Sequence, residues 1–140
     1  MVEKNTSMKR IVLGIIGDDI HVVANRILTI ALSEAGFQPY NLGTRNFPED
    51  FVAAALEVEA HAVLVSSING EGEHWCANFR KYFEDVGLED ILLYVGGNLV
   101  VGDRPEKEVV SLFKSYGFDR VFYHSADFNY ALKLLKEDLK

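Results

Sequence analysis

Arg10-Ile11-Val12-Leu13-Gly14-Ile15-Ile16-Gly17-Asp18-Asp19-Ile20-His21 (RIVLGIIGDDIH) is the stretch on which the reading of this chain turns. A nearly unbroken apolar run stops at a glycine, and the glycine leads a polar turn bearing two carboxylates and an imidazole. An apolar run with no alternation has no face to offer water, so it suits a strand covered by helices on both sides. Further short runs lie at Gln38–Leu42, Ala62–Ser66, Ile91–Gly96 and Arg120–Tyr123, and three of the five are almost wholly apolar. Helical patterns separate them. Val22–Ala35 sets Ile27, Ile30, Ala31, Leu32 and Ala35 on one predicted stripe and stops at Gly36. Pro48 opens the next helix, through Phe51, Ala55 and Val58, as proline suits a first turn. His74–Val86 ends at Gly87, Pro105–Tyr116 ends at Gly117, and Phe128–Lys140 follows.

Five βα units joined by such short crossovers imply parallel strands and right-handed connections, with helices on both faces. The expected fold is therefore α/β: a flavodoxin-like, doubly wound sheet of five parallel strands in the order 2-1-3-4-5. Residues 10–140 read as one domain and Met1–Lys9 as a flexible lead-in. In such a sheet ligands bind beyond the carboxyl ends of the strands, where the order reverses between strands 1 and 3. The loops after Ile16 and after Ser66 are the expected seat of the chemistry.

Composition narrows the partners. The chain has 140 residues, 49% hydrophobic and 25% charged, which suits one soluble domain with one sizeable core. A formal charge of −7 argues against nucleic acid and anionic membrane surfaces. Cys76 is the single cysteine, which excludes an internal disulfide and a CxxC metal site. No apolar run approaches the roughly 20 residues of a membrane span, and the N-terminus has no signal-peptide pattern, so a cytoplasmic location is expected.

In the first loop, Asp19 and His21 stand two residues apart. That spacing lets a carboxylate turn back onto one imidazole nitrogen and leave the other facing outward, as in a metal-ligating histidine held by a carboxylate. The plainer alternative is that Asp18 or Asp19 caps the first helix and His21 is an exposed first-turn residue. Paired aspartates after a first strand also suit the cation pocket of receiver domains. That reading needs an aspartate ending the third strand, where Ser66 and Ser67 stand, and a lysine after the fifth, where Tyr123-His124-Ser125 stand.

Gly17-Asp18-Asp19-Ile20-His21-Val22-Val23-Ala24 resembles the DxHxxG signature of cobalamin-binding domains in B12-dependent mutases, most closely the small subunit of glutamate (methylaspartate) mutase. Val65-Ser66-Ser67-Ile68 resembles that family's SxL stretch, and Gly70-Glu71-Gly72-Glu73 its glycine-rich loop. Leu93-Tyr94-Val95-Gly96-Gly97-Asn98-Leu99-Val100-Val101-Gly102 resembles its GGN–VVG segment. The motifs follow in order on the expected loops, from about Arg10 to Tyr123.

The resemblance implies that His21 is the axial cobalt ligand, replacing the cofactor's own dimethylbenzimidazole, with Asp19 hydrogen-bonded behind it. It implies a slot for the displaced nucleotide tail. Asp18, Ile20, Val22 and Ala24 belong to the first binding loop, and Ser66, Ser67 and Ile68 to the second. Gly96, Gly97, Asn98, Leu99, Val100, Val101 and Gly102 belong to the third, and Ser125 is the polar residue of the last loop. Gly70 and Gly72 let their loop approach the corrin edge or a partner. It implies adenosylcobalamin as cofactor, a larger barrel-type subunit to hold the substrate, and the rearrangement of glutamate to 3-methylaspartate. The chain would then be inert alone and carry no catalytic residue of its own.

Ala24 departs from the signature, which has glycine there, and Tyr123-His124-Ser125-Ala126-Asp127 replaces the family's Pro-Gly-Thr turn. Extra bulk at a tight contact costs about 1–3 kcal/mol, so these changes bear on the tail slot more than on the axial ligand. For the glycine pairs, the plainer reading is that they only make strand-to-helix turns. His74, Trp75 and Cys76 invite a metal reading, against which Trp75 packs and His74 sits on a rim; His61 and His124 read as structural. Two alternatives stand beside the mutase subunit: a corrinoid-binding carrier or sensor, and a flavodoxin-like interaction domain without cofactor.

Overall fold

The computed structural model describes residues 8–18, 22–123 and 128–140. Its elements run β1 (Arg10–Ile15), α1 (Val23–Glu34), β2 (Gln38–Asn41), α2 (Pro48–Val58), β3 (Ala62–Ser67), α3 (Gly72–Trp75), α4 (Phe79–Glu84), β4 (Leu92–Gly97), α5 (Glu106–Ser115), β5 (Arg120–Tyr123) and α6 (Phe128–Asp138). The strands form one five-stranded sheet in the order β2-β1-β3-β4-β5, parallel throughout, as the alternation of runs and helices implied.

Because side chains alternate across a strand, the apolar runs supply two cores at once. Ile11, Leu13, Ala62, Leu64 and Tyr94 face α1 and α6, where Leu28, Leu32, Leu132 and Leu135 meet them. Val12, Val63, Val65, Leu93 and Val95 face the other way, onto Phe51, Phe79, Phe83, Val109 and Phe113 of α2, α4 and α5. Arg80 ties α4 to the amino ends of the sheet: its guanidinium donates to the carbonyls of Gly117, Glu89 and Ile91 and to Asp119.

Two helices differ from the sequence reading. The stripe expected on α1 is rotated: Ile27 and Ile30 are exposed, with Val23 beside them, while Asn25, Leu28 and Leu32 are buried. Asn25 turns inward because its amide donates to Asn41 Oδ1 of β2 at 2.5 Å, which offsets the cost of burying a polar group. The single helix expected over His74–Val86 is two short ones, α3 and α4. Asn78 sits between them at φ 60°, and asparagine is among the few side chains that enter the left-handed region readily.

At the outer end of the sheet, Tyr94 and Arg120 are neighbours across β4 and β5 and both reach Asp138 of α6. Arg120 pairs with both carboxylate oxygens, at 2.9 and 3.0 Å. Hydrogen bonding from Arg120 holds the Asp138 carboxyl below its ordinary value; burial opposes this, and the Tyr94 hydroxyl adds to it. A carboxyl depressed in the folded state stabilises fully above its unfolded pKa, about 3.9, and that contribution fades as pH falls through the lower folded value. Asp138→Asn is therefore expected to be less stable than the parent chain at pH 7, with the gap closing as pH drops below about 4. Urea titrations of both chains from pH 7 to pH 3 measure this; a pH-independent gap would contradict it.

Candidate functional site

The loops at the carboxyl end of the sheet interlock. Ile16 extends β1 by a single bridge to Asn46, and the Gly17 amide donates to the Asn46 carbonyl at 2.7 Å. Asn46 is buried and its own amide donates to the carbonyls of Ile15 and Gly43, joining the first and second loops. The third and fourth loops are joined by Gly70 N–H to Asn98 O at 3.0 Å and Glu73 N–H to Leu99 O at 3.1 Å. Arg104 adds an ion pair to Glu73 at 2.9 Å.

Beneath these loops, on the α1–α6 side of the sheet, lies a cavity of about 300 Å³. The sheet supplies its floor through Leu64, Ser66, Tyr94, Gly96 and Phe122. Ser66, Gly96 and Phe122 are register partners across β3, β4 and β5, so they lie side by side. Ala24 and Leu28 of α1 form one wall, Phe128 and Ala131 of α6 the other, and Ile68, Gly97 and Asn98 stand at the strand ends. The lining is mostly carbon. Its polar side chains are those of Ser66, Asn98 and Tyr94, and the Tyr94 hydroxyl is engaged with Asp138.

The two adjacent glycines divide the alternatives raised for them. Gly97 has φ 114°, and a Cβ there would lie 2.2 Å from the Ser67 carbonyl oxygen, so the turn itself demands glycine. Gly96 is under no such demand: a Cβ would meet only ordinary contacts at 3.4 Å, with Phe122. Its missing side chain is what leaves the floor open.

Of the residues singled out from the sequence, the structure brings Ala24, Ser66, Ile68, Gly96, Gly97 and Asn98 to this cavity. Ser67 points to the opposite face, fully buried, with its hydroxyl against Gly72. Leu99 and Val100 are buried in the opposite core, whereas Val101 and Gly102 are exposed on the loop that follows. Asp18 is exposed and pairs with Arg45 at 3.4 Å, and Val22 stands at the N-cap of α1 with no side-chain cap, so Asp18 does not cap that helix. Asp19, Ile20, His21 and Ser125 lie outside the described residues, as does His124.

Leu28, Leu64, Phe122, Phe128 and Ala131 line the cavity and were not expected there. Each reads from the sequence as ordinary core, and only the register of β3, β4 and β5 groups them. Trp75 packs edge-on against Phe47 with ring centres 4.7 Å apart, and the His74 ring touches its edge. Burial pushes the Cys76 thiol up, away from the thiolate a metal would need. His61 accepts a hydrogen bond from the Arg10 amide at 3.0 Å; burial and the charges of Arg10 and Lys9 push its pKa down, so it is a neutral structural acceptor.

No protein-family model matches the chain. It is 53% identical over 129 residues to a glutamate mutase sigma subunit of Carboxydothermus hydrogenoformans, covering 92% of this chain and 94% of that one. A glutamate mutase sigma subunit of Clostridium tetani is 47% identical over 131 residues, covering 94% and 96%. Among solved structures, a cobalamin-binding protein from Desulfitobacterium hafniense superposes with a TM-score of 0.75 at 19% identity, over 93% of this chain and 58% of that longer one. That last likeness concerns the fold. Among the described residues no helix is long and apolar enough to cross a membrane. The sequence identities, extending over nearly the whole length of both partners, place the chain in the glutamate mutase sigma subunit family.

Proposed function

We propose that the cavity receives the nucleotide tail of adenosylcobalamin, and that His21 gives cobalt its lower axial nitrogen with Asp19 orienting the imidazole. The observation that carries this reading is where the cavity opens. It lies at the carboxyl ends of β3 and β4, walled by Ala24 of the helix that follows His21 in the sequence. Its volume of about 300 Å³ accepts a narrow aromatic-and-sugar appendage and leaves a broad macrocycle outside. The fit is also chemical. A released dimethylbenzimidazole is a flat apolar ring, and Tyr94, Phe122 and Phe128 offer carbon surface and ring faces for it.

Adenosylcobalamin, when bound, supplies homolysis of its cobalt–carbon bond, the source of the radical for the rearrangement of glutamate to 3-methylaspartate. The residues of this chain hold and orient. The Ser66 hydroxyl, which lines the cavity, would hydrogen-bond a polar group of the tail, and the Asn98 side chain offers a second polar contact. Gly96 keeps the floor clear, and the two walls present mostly carbon. The Asp18–Arg45 pair and the Gly17–Asn46 hydrogen bond hold the chain as it leaves β1. A larger barrel-type subunit would supply the substrate site, docking on the end that carries His21, Ser66 and Gly97. A second, plainer supporting fact is the family itself, whose members are named as one subunit of an enzyme.

Four variants test the reading. His21→Ala should lower cobalamin affinity sharply while far-ultraviolet circular dichroism stays unchanged, since a single change in a surface loop seldom unfolds a domain. Unchanged affinity and an unchanged corrinoid spectrum would remove the axial-ligand assignment.

The adjacent glycines should respond in opposite ways. Gly96→Val fills the floor, and is expected to cost at least about tenfold in cobalamin affinity with little change in the urea midpoint. Gly97→Ala drives a methyl into the Ser67 carbonyl and should destabilise the fold by about 1–3 kcal/mol or more.

Ala24→Gly widens the slot and should tighten cobalamin binding, while the added backbone freedom near the start of α1 costs up to about 1 kcal/mol of stability. Cobinamide, which lacks the nucleotide, should barely respond. Equal responses by both corrinoids, in calorimetric titrations, would mean that Ala24 does not touch the tail.

A further inference from the structure

Trp75 belongs neither to the cavity nor to the family motifs, yet it touches Gly17 of the first loop, Phe47 of the second and Glu71 of the third. Gly17 has φ 83°, and a Cβ there would lie 2.6 Å from Cδ1 and 2.8 Å from Nε1 of the Trp75 ring. The glycine backbone therefore lies directly on the indole. The indole is fixed on its other sides: Nε1–H donates to Glu71 Oε2 at 3.1 Å, and the ring packs edge-on against Phe47. Glu71 precedes α3, a single turn whose Glu73 amide is bonded to the Leu99 carbonyl of the fourth loop.

From this juxtaposition of Gly17, Trp75 and Glu71 we infer that Trp75 is a positioning residue for the axial ligand, a rigid floor that sets the direction in which the chain leaves β1 towards His21. Gly17 is held between two fixed objects. The Asn46 carbonyl takes its N–H on one side, and the indole bars movement on the other. Immobilising the first residue of a short turn narrows the directions open to the residues after it. The Nε1–Glu71 hydrogen bond keeps the ring from swinging away and opening room under Gly17. The inference rests on the reading of His21 as the axial ligand, and adds to it a residue from a different loop.

The experiment uses cob(II)alamin bound to the full chain, alone and with the catalytic subunit. Electron paramagnetic resonance reads whether a protein nitrogen sits on cobalt, and titration reads the affinity. Trp75→Ala should lower affinity by about tenfold, the lower end of what loss of a ligand-orienting residue costs, and should shift more than half of the bound corrinoid to a form without protein nitrogen. Trp75→Phe keeps a ring beneath Gly17 and should fall between the two. Glu71→Ala releases the indole and should move towards Trp75→Ala, whereas Glu71→Gln retains an acceptor for Nε1–H and should stay near the parent. A purely structural role for Trp75 would lower the urea midpoint without altering the nitrogen signal of the folded fraction. If Trp75→Ala does not fold, the Glu71 pair decides the question. If His21→Ala loses the nitrogen signal while Trp75→Ala and Glu71→Ala keep it, the inference fails and the axial-ligand reading stands. If His21→Ala itself keeps the signal, it is the axial-ligand reading that fails.

Discussion

The pairing of Ser67 with Gly97 at the last rung of β3 and β4 is the contact from which the functional end of the molecule hangs. At that rung the backbones come so close that only hydrogen fits on the Gly97 Cα. The approach fixes where the fourth loop starts, and so where the carbonyls of Asn98 and Leu99 point. Those carbonyls receive the amides of Gly70 and Glu73, which seats α3. From α3 the constraint passes through Trp75 to Gly17, at the root of the first loop. Hydrogen bonds and steric stops, none of them large alone, link the four loops in series: the second to the first through Asn46, the first to the third through Trp75, and the third to the fourth through Asn98 and Leu99.

The sheet separates two tasks by face. Towards α1 and α6 it presents small or hydroxyl-bearing groups at the strand ends, Ser66 and Gly96, and a cavity results. Towards α2, α4 and α5 the same strand ends are packed solid: Ser67 lies on Gly72, and Leu99 and Val100 are buried among the phenylalanines. A cavity forfeits dispersion contacts and apolar burial along its whole lining. The dense opposite face, with Phe79 stacked on Phe118 and tilted on Phe83, supplies the rigidity that keeps the open side from collapsing. The division follows from the period of two along each strand: Ser66 and Ser67, or Gly96 and Gly97, are adjacent in sequence and opposite in role.

The strand order and the end of the sheet that carries the cavity were legible because they depend on coarse features: apolar runs, glycine stops and loop lengths. What escaped the sequence depends on pairing between distant residues. Asn25 reads as a surface position until Asn41 is known to sit opposite it, and that hydrogen bond turns α1 so that Ile27 and Ile30 face outward. The break at Asn78 reads as a helical residue because its left-handed conformation is set by the tertiary path from α3 to α4. Phe122 and Phe128 read as core because apolar side chains carry no mark distinguishing a packed neighbour from a cavity wall. Ser66 and Gly96 were found because the family resemblance pointed to their loops and their types suit a slot, and Ala24 because it departs from the signature, whereas nothing in the type of Leu64 or Ala131 marks it.

The unlike demands on Gly96 and Gly97 bear on how such a domain can change over generations. Substitution at Gly97 strikes the fold, so selection for a folded chain alone retains it. Gly96 answers only to the cavity, since a side chain there meets the neighbouring strand at ordinary distances. A duplicated copy released from its ligand would therefore be free to fill position 96 and gain packing, closing the site by a single step that leaves every strand in place. Glycine at 96 beside an obligatory one at 97 thus separates what an open slot requires from what the architecture requires.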